Sequence, residues 1–159
     1  MFTPMKIEFW YIGKTNEKYL QQGISIFEKR LKHYCKFSSL CIKDVKPGQT
    51  STETKTRESD VILAKLSPSD FLILLDEKGE MFSSEKFAKQ IEKLQMQSSK
   101  RIIFMIAGAF GASESLQQRA DKMLSLSKMT FSHQMIRVFF LEQLYRAFTI
   151  LRNEKYHNP

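Results

Sequence analysis

A chain of 159 residues with 42% apolar or aromatic side chains, 13 of them Phe, can bury the core of one domain without disulfide or metal staples. A net charge of +8, from 25 Lys and Arg against 17 Asp and Glu, calls for a polyanionic partner, with nucleic acid first and an anionic membrane surface second. No stretch reaches the uninterrupted apolar length of a membrane span, and the opening "MFTPMKIEFWYIGK" lacks the basic, apolar and small-residue succession of a secretory signal, so the expectation is a cytoplasmic protein.

The first strand is predicted over residues 5–12, "MKIEFWYI", which makes Met5 an alternative start and residues 1–4 a dispensable extension. After "GKT", Asn16 is placed to cap a helix whose apolar positions Tyr19, Leu20, Ile24, Phe27 and Leu31 keep helical spacing. A second strand, "FSSLCIKDV", precedes a Pro-Gly loop and a helix over "ETKTRESDVILAKL". "FLILLD", residues 71–76, is a continuous apolar run of the kind covered on both faces in a parallel sheet. "EKGEMF" reads as a turn, and Ser83 or Ser84 caps a helix to about Met96. "RIIFMIAG" is the next buried strand, "AFGAS" a turn into the short helix "SESLQQRA", and "KMLSLS" a fifth strand. A polar loop then leads to a final helix ending near Arg152. Strict strand–helix alternation without repeats implies one α/β domain, a mostly parallel sheet with helices on both faces.

Ligands of such sheets bind beyond the carboxyl ends of the strands. Three loops lie there: "LDEKG", "AGAFGAS" and "SKMTFSH". Gly108 and Gly111 allow close backbone approach or positive φ, and the missing "GK[ST]" excludes a P-loop. Asp76 can accept a ribose hydroxyl or simply face water. The hydroxyls of Ser125, Ser127, Thr130 and Ser132 can surround a polar ring-bearing ligand over Leu126, Met129 and Phe131; a plain helix entry capped by Thr130 or Ser132 is the simpler alternative. Cys35 and Cys41 lack CxxC spacing and are expected as free thiols; His33, His133 and His157 form no metal signature, so no metal is expected.

The final helix is apolar around most of its girth, with Phe139, Phe140, Leu141, Leu144 and Phe148 among its members. One sheet face cannot cover it, so a second copy of the chain is expected there, as a two-fold homodimer. Glu142 and Arg146 are four residues apart and can pair. The closing "NEKYHNP" carries Tyr156 and His157, suited to stacking on a base and managing a proton, although chain ends usually fray.

The stretches "LDEKGEMFSSEKFA", "FMIAGAFG", "LSLSKMTFSHQMIRVFFLEQLYRAF" and the closing "YH" resemble the RlmH-type family of small SPOUT-class ribosomal RNA methyltransferases, nearly throughout from Met5. The resemblance implies a SPOUT-type α/β fold with a C-terminal trefoil knot, which the order of elements alone does not yield. It also implies a homodimer. The implied activity is S-adenosylmethionine-dependent methylation of N3 of a pseudouridine in 23S rRNA of the large ribosomal subunit, position 1915 in the family. Carried over by residue, it sets the cofactor against Leu75, the turn with Ala107, Gly108 and Gly111, and the run Leu126, Ser127, Lys128, Met129, Thr130 and Phe131. The family turn usually opens on paired glycines, and here the first is Ala107. Arg146, Tyr156 and His157 are assigned to positioning the target base, and Asp76, Glu142, Tyr156 and His157 stand as alternative proton acceptors or orienters. The rival reading is a non-enzymatic basic RNA-binding ribosome-assembly factor; a third is a small nucleotide- or flavin-binding protein.

Overall fold

A computed structural model describes residues 5–97 and 101–159; the expected extension over residues 1–4 lies outside the described residues. The ten elements follow the predicted alternation: β1 (Lys6–Ile12), α1 (Lys18–Leu31), β2 (Lys36–Ile42), α2 (Ser51–Lys65), β3 (Phe71–Met81), α3 (Ser84–Met96), β4 (Ile102–Ile106), α4 (Glu114–Arg119), β5 (Lys122–Ser125) and α5 (Met135–Leu151). The sheet order is β2-β1-β4-β3-β5, and every pairing is parallel.

The central strands are apolar on both faces because both are covered. Phe9, Ile73, Phe104 and Ile106 face a layer made by α1, α3 and α5. Trp10, Leu72, Leu74, Ile103 and Met105 face α2 and α4. In the first layer Phe140 lies between Phe9 and Phe104, with ring centroids 4.9 and 4.8 Å away. Tilted aromatic contacts of this kind add about 0.5–1.5 kcal/mol each beyond area burial.

Several elements depart from expectation for identifiable reasons. Asn16 does not cap α1: Glu17 is the cap residue without a side-chain bond, and the Asn16 backbone N–H donates to Gln134 Oε1 at 2.8 Å. Tyr19 lies on the solvent side of α1, 61% exposed, whereas Leu20, Ile24 and Leu31 are buried. Strand β3 is longer than "FLILLD". It pairs with Leu124 through Leu75, leaves the ladder over 76–79, and returns to pair with the same strand through Glu80 and Met81. Gly79 makes this possible, since a Cβ there would lie 2.6 Å from the Leu124 backbone. Ser83 caps α3 as expected, accepting from Lys86 N–H at 3.2 Å.

Most of the girth of α5 is covered within the chain. Phe140, Leu141 and Leu144 are fully buried, and Ala147 and Phe148 nearly so, between the sheet, α1 and α3. What remains open is one edge near its start: Phe139 is 41% and Met135 38% exposed. At the opposite end of the sheet, Arg101 bonds Asp70 through Nε at 2.9 Å and NH2 at 2.6 Å, and Glu8 through NH1 at 3.1 Å.

Candidate active site

The carboxyl ends of β3, β4 and β5 converge on a cleft of about 490 Å³. Leu75, Ile106 and Leu124 form its floor, the turn 107–111 one wall, and the loop 125–133 the other. All three loops singled out from the sequence meet there. Of the residues expected at the cofactor, Leu75, Ala107, Gly108, Gly111, Leu126, Ser127, Met129, Thr130 and Phe131 line the cleft; Lys128 is exposed and does not. Asp76, named from the sequence as a possible ribose acceptor, lines it too, and Glu77, Phe110 and Ile136 join it.

The walls take their shape from local bonds. Gly111 has φ +84°, in the left-handed region, and its N–H closes the turn onto Gly108 O at 3.0 Å. Ala107 lines the cleft and also packs against the apolar layer beneath α2 and α4. In the second wall Ser125 Oγ donates to Ser127 O at 2.9 Å and Ser127 Oγ accepts from Met129 N–H at 2.9 Å. Ser132 Oγ accepts from Met135 N–H at 3.0 Å, so this hydroxyl does hold the first turn of α5. The helix-entry reading thus accounts for Ser132, while Ser127 folds the loop upon itself.

The loop's exit is pinned to the β1–α1 connection. Arg137 is buried and donates to Ile12 O at 2.7 Å, Gly13 O at 3.0 Å and Thr15 Oγ1 at 2.9 Å, with its guanidinium 4.4 Å from the Tyr11 ring centroid. Burial lowers its pKa from the usual guanidinium range. Gln134 completes the junction, donating to Lys14 O at 3.0 Å.

Arg146, Tyr156 and His157 form a second cluster around Glu142. Glu142 Oε1 accepts from both Arg146 Nε and NH2 and from Tyr156 Oη at 3.0 Å. Arg146 lies 4.9 Å from the Tyr156 ring centroid, and Tyr145 meets that ring edge-on at 4.7 Å. Arg146 NH1 and His157 Nδ1 are 3.1 Å apart. A guanidinium can only donate, so Nδ1 accepts and Nε2 carries the proton that reaches Glu85 Oε1 at 2.8 Å. Burial, reinforced by the bond to Glu142, raises the Tyr156 pKa and keeps it a phenol at neutral pH. The bonds to Glu142 outweigh burial and raise that of Arg146. The chain end is therefore docked rather than frayed: Tyr34 Oη donates to Glu154 Oε2 at 2.6 Å, and burial together with that bond pushes the Tyr34 phenol up to about 12.

The cluster does not line the cleft, but a groove of about 450 Å³ joins them. Leu126, Ser127 and Phe131 are common to cleft and groove, and Glu142 and Gln143 lie on the groove's far side. Of the four acceptors named from the sequence, Asp76 lines the cleft, Glu142 the groove, and Tyr156 and His157 neither. Among the described residues, no three His, Cys, Asp or Glu gather as metal ligands, and no helix is long and apolar enough to cross a membrane.

Comparison with known proteins bears on the fold and the family. The family model described as "Predicted SPOUT methyltransferase" matches residues 5–157. The chain is 51% identical over 156 residues to the ribosomal RNA large subunit methyltransferase H of Christiangramia forsetii, covering 97% of this chain and 99% of that protein. The protein of the same name from Cytophaga hutchinsonii is 47% identical over 155 residues, covering 97% and 100%. Among solved structures, "a probable methylase family protein from Haemophilus influenzae Rd KW20" superposes with a TM-score of 0.56 at 11% identity, covering 98% of this chain and 71% of that one, a likeness of fold alone.

Proposed function

From a chain that belongs to the SPOUT methyltransferase family, we infer an S-adenosylmethionine-dependent ribosomal RNA methyltransferase that acts in the cytoplasm on N3 of a pseudouridine in the large subunit's 23S rRNA. The observation that carries this reading is the cleft at the carboxyl ends of β3, β4 and β5, walled by peptide edges. Its residues fit the cofactor. A volume of about 490 Å³ suits a nucleoside joined to an amino acid. Leu75, Leu126 and Ile136 offer apolar surface, the backbone of 107–111 and 125–132 offers hydrogen bonds, and Asp76 and Glu77 at the rim complement a ligand with net positive charge. When bound, S-adenosylmethionine supplies an activated sulfonium methyl.

The chain's own part is to hold and orient. The groove beside the cleft admits a base between Phe131 and Glu142. Arg146 is fixed at three nitrogens by Glu142 and His157, so it presents a rigid cation to an RNA phosphate or base edge. Tyr156 stays a donor, so it orients rather than accepts a proton. Asp76, which lines the cleft, and Glu142, which lines the groove, are the acceptors proposed for the imide proton.

The proposal includes a two-fold dimer and the trefoil knot of the family. Support for the dimer is the open apolar edge of α5, where Phe131 and Phe139 pack with ring centroids 5.1 Å apart while each stays about two-fifths exposed beside the groove. A partner seated there would bring its own basic surface to the mouth of the site. Calorimetry with S-adenosylmethionine, followed by methyl transfer to large-subunit rRNA, tests the function. RNA binding without cofactor binding would favour the assembly-factor reading.

A further inference from the structure

Helix α2 lies behind the cofactor wall, outside the cleft, yet two consecutive residues of it meet the two ends of the turn 108–113. Ser59 Oγ accepts from the Ser113 N–H at 3.2 Å in a buried contact. Ser113 in turn caps α4 by accepting from Leu116 N–H at 3.2 Å, and Gln117 Nε2 donates back to Ala112 O at 3.0 Å. At the other end Glu58 points at Gly108. The residue is 8% exposed, and Oε2 has no hydrogen-bond partner among the described residues. Burial raises the Glu58 pKa; the Gly108 backbone N–H opposes that rise and the nearby Asp44 adds to it.

A Cβ on Gly108 would lie 2.4 Å from Glu58 Oε2 and 2.8 Å from Oε1. Real side chains do not come so close, so a methyl there would require the buried Glu58 carboxylate to move. Glu58 thus closes the space behind Gly108, on the side away from the cleft that the residue lines. Gly111 is different: a Cβ there meets nothing within 4 Å, and its requirement is φ.

We propose that Glu58, with Ser59, is a positioning residue for the cofactor turn: α2 grips the turn at 108 and 113, and the carboxylate of Glu58 sets the orientation of the Gly108 peptide in the cleft wall. The geometry accounts for a charged, incompletely bonded side chain being kept behind a binding loop, where an apolar residue would pack at lower cost. This rests on the cofactor reading given above.

The test is a double-mutant cycle of Glu58→Ala and Gly108→Ala, with Glu58→Gln as the conservative variant. Glu58→Ala should weaken S-adenosylmethionine binding by about tenfold or more, and Gln, which keeps an acceptor and the shape, should stay within about threefold. In turnover, Glu58→Ala should raise KM for the cofactor while kcat at saturation stays within about threefold, a split that general unfolding does not produce. Gly108→Ala should cost about tenfold in the natural background and less than about threefold in the Glu58→Ala background, because its methyl then has room. Equal costs in both backgrounds would mean that the methyl meets the ligand and not Glu58, and would overturn the proposal. Wild-type affinity in Glu58→Ala would do the same. If the unmutated protein bound no S-adenosylmethionine, the function reading would fail by itself. Melting the same four chains without ligand then still decides the contact: non-additive shifts support the grip, and additive ones overturn it.

Discussion

Deleting residues 156–159 separates the two clusters of the site. The deletion removes the Tyr156 bond to Glu142, its edge contact with Tyr145, its contact with Arg146, and both contacts of His157. A hydrogen bond to a charged group contributes about 1.5–3 kcal/mol, an aromatic pair about 0.5–1.5 and a cation–π contact about 0.5–1. These are partly exposed and Glu142 keeps Arg146, so a net loss of about 1–3 kcal/mol is expected. At about 2–4 °C per kcal/mol for a domain of this size, Tm falls by about 2–12 °C and the protein remains folded at 25 °C. None of the removed residues lines the cleft, so S-adenosylmethionine affinity should stay within about threefold. Methyl transfer should fall at least about tenfold, equivalent to about 1.4 kcal/mol of lost orientation. Melting, calorimetry and transfer of labelled methyl measure the three quantities on one preparation. Full transfer by the truncated protein would refute the assignment of the tail to the substrate; a parallel loss of cofactor binding would refute the separation of the clusters.

Phe139→Asp should leave the fold intact, since the side chain is 41% exposed in a single chain, and should convert a micromolar dimer to monomer in light scattering; a monomeric unmutated protein would contradict the dimer. Mixing the tail-deleted chain with a cleft-blocked Thr130→Trp chain should restore part of the activity if loop and tail come from different subunits, whereas confirmed heterodimers without recovery would assign both to one subunit. Gly111→Ala should weaken cofactor binding and cost about 1–2 kcal/mol from φ strain alone, the space being open; unchanged melting would contradict the strain. Burial would raise the Asp70 pKa, but the bonds from Arg101 and Ser67 outweigh it and hold the carboxyl below its ordinary range. The pair therefore stabilises the fold above the unfolded carboxyl pKa, and that contribution is lost as pH falls through the lower folded value. Asp70→Asn should cost about 3 kcal/mol at neutral pH, with the gap to wild type narrowing below about pH 4; a constant gap across an acid titration would contradict this. Tyr34, raised to about 12, contributes stability below the usual phenol pKa that is lost as pH climbs towards 12; Tyr34→Phe should flatten that alkaline limb in a spectrophotometric titration.

The alternation of elements was readable because each strand is either a continuous apolar run or is bounded by Gly, Pro or Ser, as with "FLILLD" and "RIIFMIAG". The three loops followed from topology alone, because a parallel sheet places every strand-to-helix connection at the same edge. The excursion over 76–79 was not readable: residues 80 and 81 rejoin the ladder through a backbone approach that only the partner strand defines. Covering α5 called for a second copy, but α1 and α3 pack on the same sheet face and bury Phe140 and Leu144 within the chain. A charge at those positions would unfold the monomer, and Phe139, on the open edge, is the residue to test for the proposed seam. Gly108 was read as allowing close backbone approach or positive φ, and it lines the cleft; that Glu58 backs it from fifty positions away in the chain is a pairing no local pattern carries. The junction made by Arg137 was likewise not readable, because its NH1 and NH2 donate to Ile12, Gly13 and Thr15 from more than 120 positions away.

The central claim is methylation of ribosomal RNA at a pseudouridine by a cofactor held between Gly108 and Phe131. Its most direct test is mass spectrometry of large-subunit rRNA from cells lacking the protein, before and after incubation of their ribosomes with purified protein and isotopically labelled S-adenosylmethionine. The account predicts one pseudouridine short of a methyl group in the deficient cells, which gains a single labelled methyl at N3 when the protein is added. An identical set of methylated nucleotides in cells with and without the protein, with no label transferred, would contradict it.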